Sequence, residues 1–409
     1  YNSFFYPSVG LSVIASKIIK LPEVISFFKL RGSYANISSD VAPYYTLPTY
    51  SSGTNWNGSS SVNQPGTIIA PDIRPNKTIS TEFGAELRFL KNRLGVDFTY
   101  FNYLEKDFVK EVPISQASGF NYLLLNADEI YRRGVEIVVS GNPIKTKDLS
   151  WNVTANFSTL RRTVKSYYGG DSIRDGIKVG ERTDQYRTWG WERSPDGQIV
   201  YGSNGFPQYI DHVVNLGTYN PDWEFGLLNT IAYKNFTLSF SFDGRIGGLL
   251  YNGVEQKLYE GGMHPASANS FRDDSYAGNA SYVGQGVVVT SGAVEYDVQG
   301  NIVSDTRKFA PNTKAVKYID WVFATYVNGV DGANIYDRTF VKLREVTITY
   351  NFSPKLLGKT PFKGASLTVT GRNLALWSKV KYMDPDGYFG TTLAEPSYRN
   401  IGVNLNLKF

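Results

Sequence analysis

The sequence predicts an all-β fold, and within that class a transmembrane antiparallel β-barrel. Three observations carry this prediction. Apolar and polar residues alternate with a period of two in many short segments, aromatic residues make up 15% of the chain, and no run of about 18 apolar residues is present. Because every backbone polar group must be paired inside lipid, a membrane chain without an apolar helix has to cross as a closed sheet.

The alternation is clearest at residues 401–409, which read I-G-V-N-L-N-L-K-F. The odd-numbered apolar residues lie on one face of an extended chain and the even-numbered ones on the other. Similar patterns occur at 83–89, 94–100, 151–158, 236–243 and 346–352. Charged residues such as Glu86, Arg88, Asp97 and Asp243 occupy the polar face. Since an unpaired buried charge is costly, this face suits a water-filled interior, and the apolar face is predicted to meet outer-membrane lipid.

The pattern predicts about thirteen strands, with bounds good to a few residues. They are placed at 1–14, 28–36, 78–90, 94–109, 128–140, 150–163, 186–193, 198–202, 221–233, 236–248, 337–352, 363–377 and 398–409. Short connections alternate with long ones, and barrels of this kind keep the long loops outside the cell. The final strand then runs inward, and so does the first. An odd strand count that starts outside predicts a chain that begins within a barrel, after an N-terminal remainder and a signal peptide.

Composition excludes several other classes of protein. The chain has no cysteine, which argues against a disulfide framework and thiolate metal sites. Its net charge of +5 comes from scattered basic residues, so no nucleic-acid partner is predicted. His212 and His264 lie far apart and are predicted to be structural or exposed. The Asp-rich segments 194–197, 331–332 and 384–387 are predicted to be turns. No metal and no cofactor are expected.

Several short segments in a fixed order resemble one known family. They are 28–34 (F-K-L-R-G-S-Y), 133–136 (R-G-V-E), 281–287 (S-Y-V-G-Q-G-V), 337–346 (D-R-T-F-V-K-L-R-E-V), 350–352 (Y-N-F), 371–374 (G-R-N-L), 384–386 (D-P-D) and 396–399 (P-S-Y-R). Two positions depart from the family pattern: Ala35 stands where Gly is usual and Arg133 where Lys is usual. Together the segments resemble the SusC/RagA-like TonB-dependent transporters of Bacteroidetes outer membranes, over the whole chain.

The resemblance implies properties that the pattern of residues does not show. The family has a 22-stranded barrel, an N-terminal plug, a TonB-contacting segment and a SusD-like surface lipoprotein that closes over the barrel as a lid. Residues 1–409 are then expected to be the C-terminal portion of one barrel domain, its tenth to twenty-second strands, without the plug and the TonB-contacting segment. The implied function is import of a large nutrient, a glycan or an oligopeptide, and the protein is expected not to be an enzyme.

Aromatic residues in the long loops are the predicted ligand contacts, because planar rings stack on sugar faces or apolar side chains with little loss of entropy. They are Tyr44, Tyr45, Tyr50, Trp56, Tyr382, Tyr388 and Phe389. The alternative is that these rings pack the loops together or lie in the outer aromatic girdle.

Two further segments have predicted roles in assembly. Val403, Leu405, Leu407 and Phe409 resemble the terminal signal that the insertion machinery of outer-membrane barrels recognises; the alternative is simply a lipid-facing strand. The apolar loop 110–127 is predicted to contact the SusD-like lipoprotein, and the alternative is packing against neighbouring loops. Its proposed contact residues are Ser118, Gly119, Phe120, Tyr122, Leu123 and Leu124. The loop 249–336, about 88 residues long, is expected to fold on itself or against a partner.

Three classes of function remain open on the sequence. The first is a SusC-like active transporter, which also requires the TonB complex. The second is a passive porin or a siderophore receptor, and the third is a soluble β-rich glycan-active enzyme or adhesin. An enzyme of the third class needs two carboxylates that converge in a cleft, whereas the strand carboxylates here are dispersed.

Overall fold

The computed structural model describes residues 5–297, 300–358, 360–387 and 397–409. The chain divides into two compact units, the first made of residues 1–141 and 156–183, the second of residues 142–155 and 184–409. Long antiparallel strands and extensive connecting loops make up both units. Within the described ranges, none of the helices has the length and apolar character needed to cross a membrane.

The first unit is built on long strands that pair in chain order. They are β1 (Ser8–Val13), β2 (Ile25–Ser39), β3 (Asn76–Phe89), β4 (Leu94–Lys106) and β5 (Glu129–Lys145). A further strand, β6 (Leu149–Ser166), contributes residues to both units, as does the end of β5. The pairing is antiparallel throughout, as expected when consecutive strands are joined directly.

The register in the first unit separates an apolar row from a charged one. The apolar row runs across four strands through Leu30, Ala85, Phe98 and Ile137. On the other face, Arg31 donates to Asp97 at 2.9 and 2.6 Å and lies over Gly84. A β-carbon at Gly84 would come within 2.3 Å of Arg31 Nε, so glycine makes room for this ion pair.

The second unit has the same plan. Its long strands are β7 (Trp223–Tyr233), β8 (Phe236–Ile246), β9 (Phe340–Asn351), β10 (Gly364–Ser378) and β11 (Asn400–Lys408). One row across them is apolar, through Ile231, Leu238, Ile348, Val369 and Val403. The adjacent row on the opposite face is formed by Thr230, Ser239, Thr347, Thr370 and Gly402. Hydroxyls pair across the strands on this face, as between Thr349 and Thr368 at 2.9 Å.

The all-β prediction is confirmed, and eleven of the predicted strands occur as long strands within the described residues. The predictions at 186–193 and 198–202 are wrong, because these residues do not join the long ladders. Gln185–Thr188 pairs with Val214–Thr218, and Val200–Tyr201 pairs in parallel with Val287 and Val288. Both segments therefore belong to small sheets in the loops.

The long loops are themselves folded, and their short strands form small sheets. In the first unit these strands are Ser51–Ser52, Val62–Asn63, Thr67–Ile69, Phe108–Pro113, Tyr122–Ala127, Ile173–Arg174 and Ile177–Lys178. In the second unit they are Gln185–Thr188, Val200–Tyr201, Val214–Thr218, Leu249–Tyr251, Tyr282–Val283, Val287–Ser291, Val294–Tyr296, Ile302–Asp305, Lys308–Pro311, Ala315–Val316 and Ile335–Asp337.

The α-helices of the described residues are short and lie in the second unit, whereas single 3-10 turns occur in both units. They are α1 (Gly253–Glu260), α2 (Ser270–Tyr276), α3 (Tyr318–Val322), continued by a π-helical turn at Phe323–Val327, and α4 (Pro354–Leu357). Asn252 and Asn269 cap α1 and α2 by accepting hydrogen bonds from backbone N–H groups, which explains where these helices begin.

The loop 249–336 folds on itself, as expected from its length. Tyr259, Tyr318 and Val322 form its buried core. Tyr282, Trp321, Tyr326 and Val327 pack around this core. The rings of Tyr259 and Tyr326 stack with centroids 4.0 Å apart. Burial raises the pKa of Tyr282 to about 12, so its phenol stays neutral and serves packing rather than acid–base chemistry.

Candidate functional site

The loops of the second unit border an open cavity of about 840 Å³ between segments 189–209 and 320–331. Its apolar lining is mainly aromatic, from Trp189, Trp191, Phe206, Tyr209 and Phe323. Binding sites for small ligands usually occupy 300–1,000 Å³ and combine such apolar walls with a few polar groups. We call this space the aromatic cavity.

The first wall of the aromatic cavity is a loop hairpin. Ile210 N–H donates to the carbonyl of Gly190 at 3.0 Å, and Glu192 N–H donates to the carbonyl of Gln208 at 2.9 Å. This pairing brings the rings of Trp189 and Tyr209 to 5.9 Å between centroids. Both rings remain exposed, Trp189 to 43%, so their faces are available to a ligand.

The second wall is formed by α3 and the π-helical turn that follows it. Asp320, Phe323 and Ala324 are spaced three and four residues apart and therefore share one helix face, which lines the aromatic cavity. Asp331 continues this wall and accepts a hydrogen bond from the Thr188 hydroxyl at 3.0 Å.

Glycines allow the close packing around this cavity. A β-carbon at Gly332 would lie 3.0 Å from the carbonyl oxygen of Trp189, so glycine lets the two walls meet. Gly284 and Gly286, in the segment 281–287, pack against the ring of buried Tyr201. Their β-carbons would come within 2.4 and 2.7 Å of that ring. The glycines of this segment are therefore explained by packing against Tyr201.

A buried ion pair supports the first wall from behind. Arg307, with a side chain 2% exposed, contacts Glu192 at 2.6 Å and Asp305 at 2.7 Å. It also donates to the carbonyl of Arg193 at 2.9 Å. The hydrogen bond to Asp305 raises the pKa of Arg307 above its already high value, so this residue stays a cation that fixes the backbone next to Trp191.

A second charged cluster ties the loop after β10 to β9. The Lys342 side chain is 3% exposed and contacts Asp384, with Asp386 3.6 Å away. Arg344 contacts Asp386 at 2.6 Å and also pairs with Asp243. Burial alone would raise the pKa of Asp384, but the hydrogen bonds from Lys342, Ser397 and the Asp386 backbone, with the charge of Lys342, together outweigh it and the pKa is lowered. We call these residues the lysine cluster.

The turn predicted at 384–387 is confirmed, because Asp386 N–H donates to Asp384 Oδ1 at 3.0 Å. The sequence did not predict that the carboxylates of this turn anchor the loop after β10 to β9, because only the fold brings Lys342 next to Asp384 and Asp386. The turn predicted at 194–197 is also confirmed, with Gly197 N–H donating to the carbonyl of Ser194 at 2.8 Å.

Both histidines have the structural or exposed role that was predicted. His264 is buried, stacks on Tyr259 at 3.8 Å and has its Nε2 3.3 Å from Glu255. Its Nδ1 accepts a hydrogen bond from Ala266 N–H at 3.1 Å, so the proton of the neutral ring lies on Nε2. His212 lies at the surface beside Asp211.

Among the described residues, none of the predicted ligand contacts lines the aromatic cavity. Tyr44, Tyr45, Tyr50 and Trp56 are exposed in the first unit, Tyr44 to 82% and Trp56 to 84%. A nearby cavity of about 420 Å³ is lined by Asp40, Val41, Thr46, Ile69, Arg74 and prolines. Their role in ligand contact stays a prediction.

The remaining predicted contacts lie in the loop after β10. Tyr382 packs edge-on against His264 with centroids 5.2 Å apart, and the neighbouring Lys381 carbonyl accepts from fully buried Asn252 at 3.0 Å. Packing of loops thus accounts for its position. Tyr388 and Phe389 lie outside the described residues.

The lid-contact loop 110–127 is a β-hairpin. Leu124 is 3% exposed, and Leu123 packs on a core of Val112, Leu125 and Ala127. The strand Tyr122–Ala127 also pairs in parallel with Thr67–Ile69. The apolar leucines are thus covered by this chain, whereas Ser118, Gly119 and Tyr122 are exposed and Phe120 is partly exposed. Contact with a SusD-like lipoprotein therefore stays a prediction, and it concerns the exposed tip of the hairpin, residues 118–122.

The residues of the predicted assembly signal lie on or next to the outermost strand of the second unit. Val403, Leu405, Leu407 and Phe409 are all exposed on one face. The ring of Phe409 also contacts Phe362 with centroids 5.1 Å apart. This arrangement suits a lipid-facing strand, and recognition by the insertion machinery stays a prediction.

Paired long strands with an exposed apolar row on one face and a polar row on the other define a β-barrel protein of the bacterial outer membrane. The chain belongs to the TonB dependent receptor-like β-barrel family, whose model matches residues 1–374.

Relatives of known name agree with this assignment. The TonB-dependent receptor P3 of Formosa agariphila is 23% identical over 98% of this chain and 40% of its own length. The TonB-dependent receptor SusC of Bacteroides thetaiotaomicron is 23% identical over 94% of this chain and 38% of its own length. The chain thus spans about 40% of the length of these relatives. They are receptors rather than enzymes.

A solved structure shows the same fold. The RagAB peptide transporter superposes with a TM-score of 0.65, at 16% identity, over 99% of this chain and 43% of the solved chain. The resemblance to SusC/RagA-like transporters and the outer-membrane location, both predicted from the sequence segments, are confirmed.

Proposed function

We propose that the complete protein, of which residues 1–409 form the C-terminal part of one barrel domain, imports a large nutrient across the outer membrane in a TonB-dependent step. The nutrient is a glycan or an oligopeptide, and a SusD-like lipoprotein covers the loops from outside. The plug and the TonB-contacting segment belong to the N-terminal remainder of the same protein. In this proposal the chain is not an enzyme and needs no cofactor.

The observation that supports this proposal is the aromatic cavity in the folded loops of a TonB-dependent receptor barrel. A passive porin needs only an open path, whereas a receptor that concentrates a nutrient also needs a binding surface. Here Arg307 and Gly332 hold that surface in place on separate segments. Pre-positioned aromatic rings lower the entropy lost on binding, as a receptor that concentrates a nutrient requires.

The test is uptake of labelled oligosaccharides and oligopeptides by cells that carry the full-length protein and its lipoprotein. We expect uptake of one of these classes, abolished by a protonophore or by loss of TonB, and reduced by Trp189→Ala together with Phe323→Ala. Uptake that persists without TonB would support a passive porin, and uptake of ferric siderophores alone would support a siderophore receptor.

The exposed tip of the hairpin 108–127 provides a separate prediction about the lipoprotein. Replacing Phe120 and Tyr122 by serine removes two apolar side chains at the tip while leaving buried Leu124 in place. If the lipoprotein covers this tip, co-purification should fall by about tenfold, because aromatic residues dominate the energy of interfaces. A deletion of 118–124 is less informative, since it removes a core residue.

The matched control is Tyr276→Ser, which removes an exposed tyrosine from α2, and we expect it to leave co-purification unchanged. Heat resistance of the barrel in detergent should be the same in all variants. Undiminished capture of the lipoprotein by the Phe120 and Tyr122 variant would contradict the tip assignment.

A further inference from the structure

The polar side chains that line the aromatic cavity are acidic or neutral. Asp320 and Asp331 contribute two carboxylates to its lining, and Asn204 and Asn328 contribute two amides. Among the described residues that line the cavity, none is basic. In the described parts of the chain, neither Asp320 nor Asp331 forms an ion pair. The side chain of Asp331 accepts a hydrogen bond from the neutral hydroxyl of Thr188.

The charged groups of the lining, Asp320 and Asp331, are hydrogen-bond acceptors only. A carboxylate accepts through two oxygens and donates nothing, whereas an ammonium or guanidinium group only donates. Asn204 uses its Oδ1 to accept from Phe206 N–H at 3.1 Å, which fixes the amide beside the rings and leaves its NH2 group as a donor. The preference for a ligand that presents a cationic donor therefore rests on the two carboxylates alone.

The aromatic rings favour the same ligand class. Cations bind over the faces of Trp and Tyr because of the negative charge above the ring. Trp189 and Tyr209 are exposed on the first wall, and the carboxylates that line the same cavity belong to the second. An anionic ligand would meet two like charges and no counter-charge, which disfavours acidic glycans and acidic peptides.

Building on the proposed function, we propose that the aromatic cavity is a subsite for a cationic group, and that the imported substrate is an oligopeptide with lysine or arginine side chains. The apolar part of such a side chain covers Trp189 and Phe323, while its charged end lies between the rings and the carboxylates of Asp320 and Asp331. A cavity of about 840 Å³ accommodates a short stretch of peptide around that side chain.

The experiment measures binding of three pentapeptides that differ only at the central residue, which is Lys, Gln or Glu, to the full-length transporter in detergent. We expect the Lys peptide to bind about tenfold more tightly than the Gln peptide, and the Glu peptide most weakly. Added salt should weaken only the preference for Lys, because it screens the exposed carboxylates. This series needs no variant and so does not depend on how a variant folds.

The variant Asp320→Asn with Asp331→Asn should remove the difference in affinity between the Lys and Gln peptides. Asp211→Asn is the matched control, since that carboxylate is 93% exposed and is not part of the cavity lining. Equal binding of the three peptides would overturn the proposal. So would tight binding of a neutral maltopentaose that the peptides do not displace.

Uptake by cells separates this proposal from the proposed function. If import requires TonB but does not depend on the charge of the peptide, the cationic subsite is wrong and the transporter function stands. If the purified protein prefers the Lys peptide but cells show no TonB-dependent import, the subsite stands and the transporter function is wrong.

Discussion

A Lys342→Met variant of the full-length protein is expected to lose about 3–5 kcal/mol of stability in the loop after β10, because removal of one partner from a buried pair leaves an uncompensated charge. Lys342 is 3% exposed, and its partner Asp384 is 10% exposed. Arg344 still pairs with Asp386 in the variant, so the loss of stability comes mainly from the unpaired carboxylate of Asp384. Hydrogen exchange of the amides at 380–387, in detergent, measures the opening free energy directly.

Lys379→Met provides the control for this expectation. Lys379 is 81% exposed and lies 3.8 Å from Asp337, so its loss should change the opening free energy by no more than about 1 kcal/mol. A second substitution, Asp384→Asn in the Lys342→Met background, should restore part of the stability by removing the unpaired carboxylate. Unchanged exchange in Lys342→Met would show that the lysine cluster does not hold this loop.

Replacing Val369 by arginine should destabilise the barrel by about 2–4 kcal/mol, because a charge near the middle of the lipid-facing surface is costly. Val369 lies in the apolar row between Ile348 and Val403. Folding of the full-length protein into lipid vesicles, followed by denaturant titration, measures the difference. Leu238, in the same row, and Phe242 and Leu405, on the same face, should respond in the same way.

The control is the neighbouring residue on the same strand. Thr368 points to the opposite face, where it contacts Thr349 at 2.9 Å, so Thr368→Arg should be mild. Ser239, which lies on the polar face of β8, should be similarly tolerant. Equal losses on the two faces would refute the assignment of one face to lipid.

The strands of the long ladders were predictable because their signal is local. A period of two over ten or more residues, followed by a short connection such as 234–235, specifies both a strand and its antiparallel neighbour. The register then follows from keeping apolar residues on one face, since a shift of one residue would move them all to the other. The row through Leu238, Ile348 and Val369 shows this directly.

The two incorrect strands show where local signals fail. Segment 186–193 contains the alternating residues Trp189, Gly190 and Trp191, and segment 198–202 contains the short apolar run Ile199, Val200 and Tyr201. Such patterns indicate a buried or half-buried strand but not the sheet that buries it. Only the folded loops show that Val200 and Tyr201 pair with Val287 and Val288, residues about 87 positions away.

The aromatic cavity was missed for the same reason. Trp189 and Trp191 were assigned to a membrane strand, and Phe323 had no visible connection with them. The sequence did contain a relevant signal, the turn at 194–197. Because this turn follows Trp189 and Trp191 so closely, the predicted strand at 186–193 is too short to span lipid. The glycines of 281–287 were recognised as a motif, yet their contact with Tyr201 depends on distant residues.

The sequence by itself determined that this protein is an all-β outer-membrane barrel of the TonB-dependent receptor kind, because strand period, turn spacing and short motifs are encoded within tens of neighbouring residues. The tertiary structure decided which side chains share a site. The aromatic cavity joins residues 189–209 to 320–331, and the lysine cluster joins Lys342 to Asp384. Such pairings depend on how long loops close and pack, and the entropy and contacts that decide this are not local in the chain.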